Sequence, residues 1–164
     1  MNRLRPETIH LLQEETFSYF LHETNQRNGL VVDKTKDGWP ASIAAVGMAL
    51  TAYPVGVERG FITRAEAVRR VLRTLRFFWK SPQGTGTDAT GYKGFYYHFL
   101  DMQTGRRAHG SEVSTVDSAL FLAGALTAAA YFQHDDAREQ EIRTLADALY
   151  RRPTGAGRWA AAPP

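Results

Sequence analysis

The chain has 164 residues, 43% hydrophobic and 23% charged, with a formal net charge of +3, proportions that suit one globular domain with its own core. Its acids and bases are interspersed with no basic block among aromatics, which argues against nucleic acid as a partner, and the absence of cysteine excludes disulfides and thiolate metal sites. No signal peptide is visible in MNRLRPETIHLLQEE, and the longest uncharged run, Ser118 to Phe132, falls short of the roughly 20 residues that span a bilayer, so the expectation is a soluble, cytoplasmic chain with no membrane partner.

The first helix is expected from Pro6 to Glu23, where Ile9, Leu12, Phe17, Phe20 and Leu21 recur at helical spacing opposite Gln13, Glu14 and Glu15. A long loop, Thr24 to Trp39, follows. Its charges, Asp33, Lys34, Lys36 and Asp37, read as a wet surface. Trp39 either plugs the core or stacks on a ligand, and Ser42, one turn further, reaches the same place. The second helix, ASIAAVGMALTAY, starts after Trp39-Pro40, proline being suited to a first turn where its missing N–H would be unpaired anyway. It carries no charge, and Pro54 to Ile62 reads as the loop that leaves it.

The third helix runs from Thr63 to Lys80. Thr63 and Glu66 form a capping-box pattern, Val68, Val71, Leu72, Leu75, Phe78 and Trp79 supply the apolar stripe, and Arg64, Arg69, Arg70 and Arg73 the wet side. Ser81 to Val113 is a second long loop with its own element. Phe95, Tyr97 and Phe99 alternate with Tyr96, His98 and Leu100, a period of two. Asp101 to Gly105 then reads as a turn and Arg106 to Ala108 as a short return, together a β-hairpin.

The fourth helix, Ser114 to Phe132, has no charge after Asp117; the fifth, Asp136 to Arg152, turns Ile142, Leu145, Ala146 and Leu149 inward against Arg138, Glu139, Arg143 and Asp147. From Pro153 to Pro164 the helical pattern stops in PTGAGRWAAAPP. An irregular terminus and a reading-frame slip that truncates the chain both fit this tail.

Amphipathic and wholly apolar helices thus alternate. A helix that is apolar all round is expected to be buried all round, which suits two concentric layers. The fold class read from this is all-α, a partial (α/α)6 toroid of about five helices with a small β-hairpin on its rim. The loops that enter the apolar helices are the long ones, so they share one rim, and long loops on a rigid scaffold are where sites form.

Glu112 and Asp117 lead the candidate site residues. Glycoside hydrolysis takes two carboxyl groups, one to protonate the leaving oxygen and one to activate water or attack. Asp117 also stands third after Ser114, where an acid completes a helix cap, whereas Glu112 precedes the cap and has no helical task. His98, in its aromatic strand, reads as a core hydrogen-bonder or as a site residue. Tyr92, Phe95, Tyr96 and Tyr97 serve either a core or the stacking of sugar faces. Arg106 and Arg107 read as a solvated strand end or an anion site. No P-loop, dinucleotide fingerprint, nucleophile elbow or histidine metal spacing occurs, and neither a metal nor a cofactor is expected.

The blocks PASIAAVGMALTAYPVGVERGFITRAEA, TLRFFWKSPQG, GYKGFYYHFLDMQTGRRA and SEVSTVDSALFLAGALTAAAYF together resemble the glycoamylase-like domain family, which is similar to bacterial β-1,2-glucan hydrolases and to the glycoamylase-like region of cyclic β-1,2-glucan synthases. The resemblance covers about Pro6 to Arg152. It implies an (α/α)6 toroid, a carbohydrate cleft on the rim and glycosidic-bond cleavage on β-glucan, with oligo- or polysaccharide as partner. It places Glu112 and Asp117 on the family's acidic motif, and Tyr92, Phe95, Tyr97 and His98 on its aromatic block; Trp39, Ser42, Arg106 and Ser114 complete the expected sugar-binding set. Gly110-Ser111 is a minor departure. The family's domain is also longer, so this chain reads as its N-terminal portion. Three functions stay open on the sequence: part of a glycoside hydrolase, a non-catalytic carbohydrate-binding or structural fragment, and an inactive truncated product that self-associates through apolar edges.

Overall fold

The computed structural model describes residues 5–153. Among them five helices form in the expected order: α1 (Pro6–His22), α2 (Ile43–Glu58), α3 (Arg64–Lys80), α4 (Thr115–Tyr131) and α5 (Ala137–Arg151). Local chemistry starts three of them. Thr63 Oγ1 accepts the Glu66 N–H at 3.2 Å to cap α3, Ser114 Oγ accepts the Asp117 N–H at 3.2 Å to cap α4, and Asp136 Oδ1 accepts the N–H groups of Arg138 and Glu139 at 2.9 and 3.3 Å to cap α5.

The apolar helices α2 and α4 lie against each other, with α1 packed on α2, α5 on α4, and α3 on both α2 and α5. This is an inner pair backed by outer helices, an arc of an α/α toroid. Two glycines set how close the inner pair stands. A methyl group at Gly47 would overlap the backbone of Leu120 and Phe121, and one at Gly124 would overlap the carbonyl of Gly47, so the two backbones touch directly. Below the rim, Phe78 of α3 and Phe121 of α4 meet Tyr96, with ring centroids 4.8 Å apart for Phe78–Tyr96, 4.3 Å for Phe78–Phe121 and 5.2 Å for Tyr96–Phe121. These edge-on and tilted contacts, all fully buried, lock the outer layer to the inner one.

The rim is built from short strands: β1 (Ala41–Ser42), β2 (Gly91–Tyr92), β3 (Phe95–Tyr97), β4 (Phe99–Leu100) and β5 (Val113–Ser114). β1 pairs with β4, and β3 lies between β2 and β5, all antiparallel. The expected hairpin is present, closed by a Leu100–Arg107 bridge. In its turn Asp101 Oδ1 accepts the Thr104 N–H and hydroxyl, both at 2.7 Å, and the Gln103 N–H at 3.1 Å. The Thr104 bonds, backbone first, hold the Asp101 carboxyl below the usual carboxylate range. Both rim loops are tied together where the side-chain amides of Asn25 and Asn28 donate to Met102 O at 2.6 and 3.0 Å.

Several expectations are corrected. The expected strand over 95–100 is broken at His98, where the chain leaves one sheet for the other. Helix α2 begins at Ile43 rather than directly after Pro40, because β1 intervenes, and it continues through Pro54 to Glu58 rather than ending at Tyr53. The apolar helices are not buried all round: Met48 and Val55 on α2 and Val116, Leu120 and Leu126 on α4 are exposed, because the described outer helices cover one side of the pair only. In α1, Phe17 reaches the core while Ile9 and Leu12 stay exposed. Glu139 points inward instead of outward. It is buried and accepts two bonds from Arg64, Nε at 2.8 Å and Nη2 at 2.9 Å, plus the His134 N–H at 2.8 Å. The tail from Thr154 onward, with its reading-frame question, lies outside the described residues.

Two outcomes follow from this packing. Gly124→Ala gains about 1 kcal/mol of helix propensity yet lowers unfolding free energy by roughly 1–3 kcal/mol through overpacking, measured by urea unfolding. The Arg64 hydrogen bonds hold the Glu139 carboxyl below its ordinary value, so their stabilisation is full above the unfolded glutamate pKa and is lost as pH falls through the lowered folded value. Melts from neutral to acid pH should therefore fall more steeply for the wild type than for Glu139→Gln. Arg64→Ala, at neutral pH, should cost roughly 3 kcal/mol, the low end for a buried pair because the Arg64 side chain stays 26% exposed.

Candidate active site

The segment from Phe95 to Leu100 lies as a strap across the starts of both inner helices. On one side Ser42, the residue before α2, pairs with Phe99, and His98 O accepts the Ile43 N–H at 3.3 Å. On the other side Tyr96 pairs with Ser114, and the His98 N–H donates to Glu112 O at 2.9 Å. His98 is therefore the one strap residue whose backbone is bonded toward α2 and toward α4 at once. Two buried serines pin the strap. Ser118 Oγ accepts the Tyr96 N–H at 2.9 Å and donates to Ser114 O at 2.6 Å, and Ser111 Oγ lies 3.1 Å from both the N and the O of Phe99. Each fills a backbone group that the broken strand leaves without a ladder partner.

The His98 ring lies flat on Phe99, centroids 4.0 Å apart and planes 15° apart. Its Nδ1 is 3.1 Å from Glu112 Oε1 and its Nε2 is 3.6 Å from Asp117 Oδ2. The two leading carboxylates thus stand on opposite edges of one imidazole. Their exposure differs: the Glu112 side chain is 70% exposed, His98 33% and Asp117 13%. The Glu112 carboxyl is held below the ordinary glutamate range, first by its own backbone N–H and then by His98, so at neutral pH it is an ionised, accessible acceptor. The imidazole is within hydrogen-bond reach of Glu112 through Nδ1, while at 3.6 Å its Nε2 faces Asp117 Oδ2 across a slightly longer gap.

The other expected residues divide. Ser114 caps α4 beside Asp117. Trp39 is half-buried on the first rim loop, its indole N–H on Asp33 Oδ2 at 3.2 Å, and it meets the hairpin side through His109, ring centroids 5.9 Å apart. Tyr92 is exposed at the β2–β3 turn with the Lys93 amine over its ring, and Phe95 is partly buried beside it in the register. Tyr97 is buried, its hydroxyl on Gly84 O at 2.8 Å and the Arg107 guanidinium 4.4 Å from its ring centre. Ser42 is buried at the start of α2, and Arg106 is exposed on the hairpin return. The cluster brought together is therefore His98, Glu112, Asp117 and Ser114. The sequence reading missed Ser111, Ser118 and His109; a serine one turn inside a capped helix is the only signal that pointed to any of them. Among the described residues no group of three or more His, Cys, Asp or Glu is arranged to hold a metal ion, and no helix is long and apolar enough to cross a membrane.

No family model matches the chain. It is 29% identical over 154 residues to the exo β-1,2-glucooligosaccharide sophorohydrolase (non-reducing end) of Parabacteroides distasonis, a match that covers 88% of this chain and 20% of that protein. Its fold superposes on a β-1,2-glucanase from Parabacteroides distasonis with a TM-score of 0.78 and 26% identity, covering 93% of this chain and 22% of that one. A candidate glucoamylase from Bacteroides uniformis gives a TM-score of 0.79 and 28% identity, covering 93% and 37%. The chain thus spans about a fifth of the length of the curated relative it matches. Sequence and fold agree with the resemblance to glycoamylase-like proteins and β-1,2-glucan hydrolases.

The serine pin gives a test of how the site is held. Ser118→Ala leaves the buried Tyr96 N–H without its acceptor, and unfolding free energy should fall by about 1–3 kcal/mol. The His98 ring resonances, followed by NMR, should broaden as the strap loosens, whereas Ser18→Ala on exposed α1 should change neither.

Proposed function

We propose that this chain carries the acid-bearing rim of a glycoside hydrolase that acts on β-glucan, with β-1,2-linked glucan as its substrate. The observation that carries the reading is the pair Glu112 and Asp117 on the two nitrogens of His98, set on a rim whose sequence and fold are similar to those of β-1,2-glucan hydrolases. Hydrolysis needs a proton delivered to the leaving oxygen and a carboxylate that activates water or attacks the anomeric carbon. Glu112 is ionised and open to solvent, which suits the second task. His98 orients it through Nδ1 and, once it has gained a proton, stabilises the charge between the two acids. Asp117 sits deeper, 3.6 Å from Nε2, as the second carboxylate of the pair, the one left to protonate the leaving oxygen.

A second reading, carbohydrate binding without cleavage, is favoured by one observation: Asp117 stands in the first turn of α4, third after the Ser114 cap, a place an acid takes for the helix alone. Reducing-end release from β-1,2-glucan separates the two. The hydrolase reading expects release by the wild type and a fall of about 10²–10⁴ in Glu112→Gln, with little change in melting point because Glu112 is exposed. Release should persist as pH falls through the ordinary glutamate range and cease only below it, since the Glu112 carboxyl is held low. Glucan binding with no release by the wild type supports the binding reading. If Asp117→Asn keeps full activity and only lowers the melting point, Asp117 is a helix-start acid and nothing more.

A further inference from the structure

Between α3 and the first rim loop lies a groove of about 550 Å³, with Arg27, Arg69, Arg73, Arg76, Lys80 and Phe77 on its walls. Among the described residues no acid lines it. The four cations of α3 follow one another at steps of four, three and four residues, so each is the next one's neighbour on a single helix face, in a row about 16 Å long. Arg73 Nη1 donates to Gln26 Oε1 at 3.2 Å, which ties the row to the loop that carries Arg27.

A helix face that only has to be wet is served by mixed signs. Helix α5 is built that way, with Arg151 on Asp147 one turn away at 2.9 Å, and so is the start of α3, where Glu66 holds Arg69 and Arg70. Along the groove, like charges stand where opposite charges would stabilise the helix, which costs folding free energy. Two carboxylates answer the five cations. Glu66 bonds Arg69, and Glu141 takes two bonds from Arg76, Nε at 2.7 Å and Nη2 at 2.5 Å. Arg27, Arg73 and Lys80 have no carboxylate hydrogen-bonded to them among the described residues. A cleft lined by one sign of charge concentrates its field and draws in the opposite sign. Phe77 is already engaged: Gly105 lies against the tip of its ring and Phe78 meets it edge-on at 5.1 Å and 86°. It offers an apolar wall rather than a free face on which a nucleic-acid base would stack.

We infer that this groove docks an acidic, extended segment of a partner protein, with its Asp or Glu side chains laid along the α3 row. Alternate side chains of an extended chain share a face about 7 Å apart, close to the roughly 5–6 Å between neighbouring cations, and the guanidinium forks of Arg27 and Arg73 match a carboxylate with two parallel bonds. The test is fluorescence anisotropy of a labelled hexaglutamate peptide titrated with the whole chain, beside hexaglutamine and a labelled oligothymidylate. Hexaglutamate should bind, more weakly as ionic strength rises from about 0.01 M to about 0.15 M, and hexaglutamine should not. Arg73→Gln combined with Lys80→Gln should weaken the hexaglutamate complex roughly three- to tenfold, whereas Arg138→Gln, exposed on α5, should leave it unchanged. Both groove substitutions remove a like-charge neighbour, and thermal melts should show the fold intact; if the pair does not melt cooperatively, Lys80→Gln alone, exposed at the end of α3, carries the comparison. Absence of hexaglutamate binding at low salt, equal losses in Arg138→Gln and the groove variant, or tighter oligothymidylate binding that the groove variant weakens, each overturns the acidic-segment assignment. None of these results bears on the β-glucan reading.

Discussion

The direct contact between the backbones of α2 and α4 at Gly47 and Gly124 is the constraint on which the rest of the structure depends. Any side chain there would push the two helices apart, and the spacing of their N-termini would grow with it. The strap from Phe95 to Leu100 is short and reaches both starts: β4 bonds to β1 just before α2, and β3 bonds to β5 just before α4. It does so only because those starts stand side by side. Glycine in mid-helix costs helix stability; here it sets the distance across which one histidine can address two carboxylates.

Above that contact the rim is organised by the need to satisfy backbone polar groups. A strand that changes sheets at its midpoint leaves N–H and C=O groups without ladder partners. Ser111 and Ser118 supply partners for Phe99 and Tyr96, and the backbones of Ile43 and Glu112 supply them for His98. The sheet change also turns the His98 side chain onto the surface between the two helices, while Tyr96 and Tyr97 beside it remain buried. An aromatic trio below and a hydrogen-bonded strap above thus fix one imidazole ring, and the Glu112 carboxylate, before the helix cap, is held against it by that ring and its own N–H.

What was legible in the sequence was what is local. The caps at Thr63 and Ser114, the turn at Asp101 and the alternation of apolar with amphipathic helices all rest on neighbours a few residues apart. The rim was read from the lengths of the loops that enter the apolar helices, and the resemblance to the glycoamylase-like family matched Glu112 and Asp117 to an acidic motif. What depends on distant residues was not legible. Glu139 reads as surface because its partner Arg64 is 75 residues away. The His98–Glu112 bond spans 14 residues, and nothing in the alternation of the aromatic block marks the break at His98. His109 carries no motif at all, because its position comes from a left-handed turn braced by Arg107. The exposure of Met48, Leu120 and Leu126 was missed because composition reports that a helix is apolar, not which of its faces the neighbouring helices cover.

The central claim is that the rim cluster around His98 is where sugar meets this protein. The most direct measurement is an NMR map of backbone amide shifts as a β-1,2-linked gluco-oligosaccharide is added. The account predicts shifts concentrated at His98, Phe99, Glu112, Val113 and Ser114, with the opposite ends of the inner helices, around Glu58 and Tyr131, unmoved. Shifts centred on those opposite ends, or no shifts at saturating sugar, would contradict it.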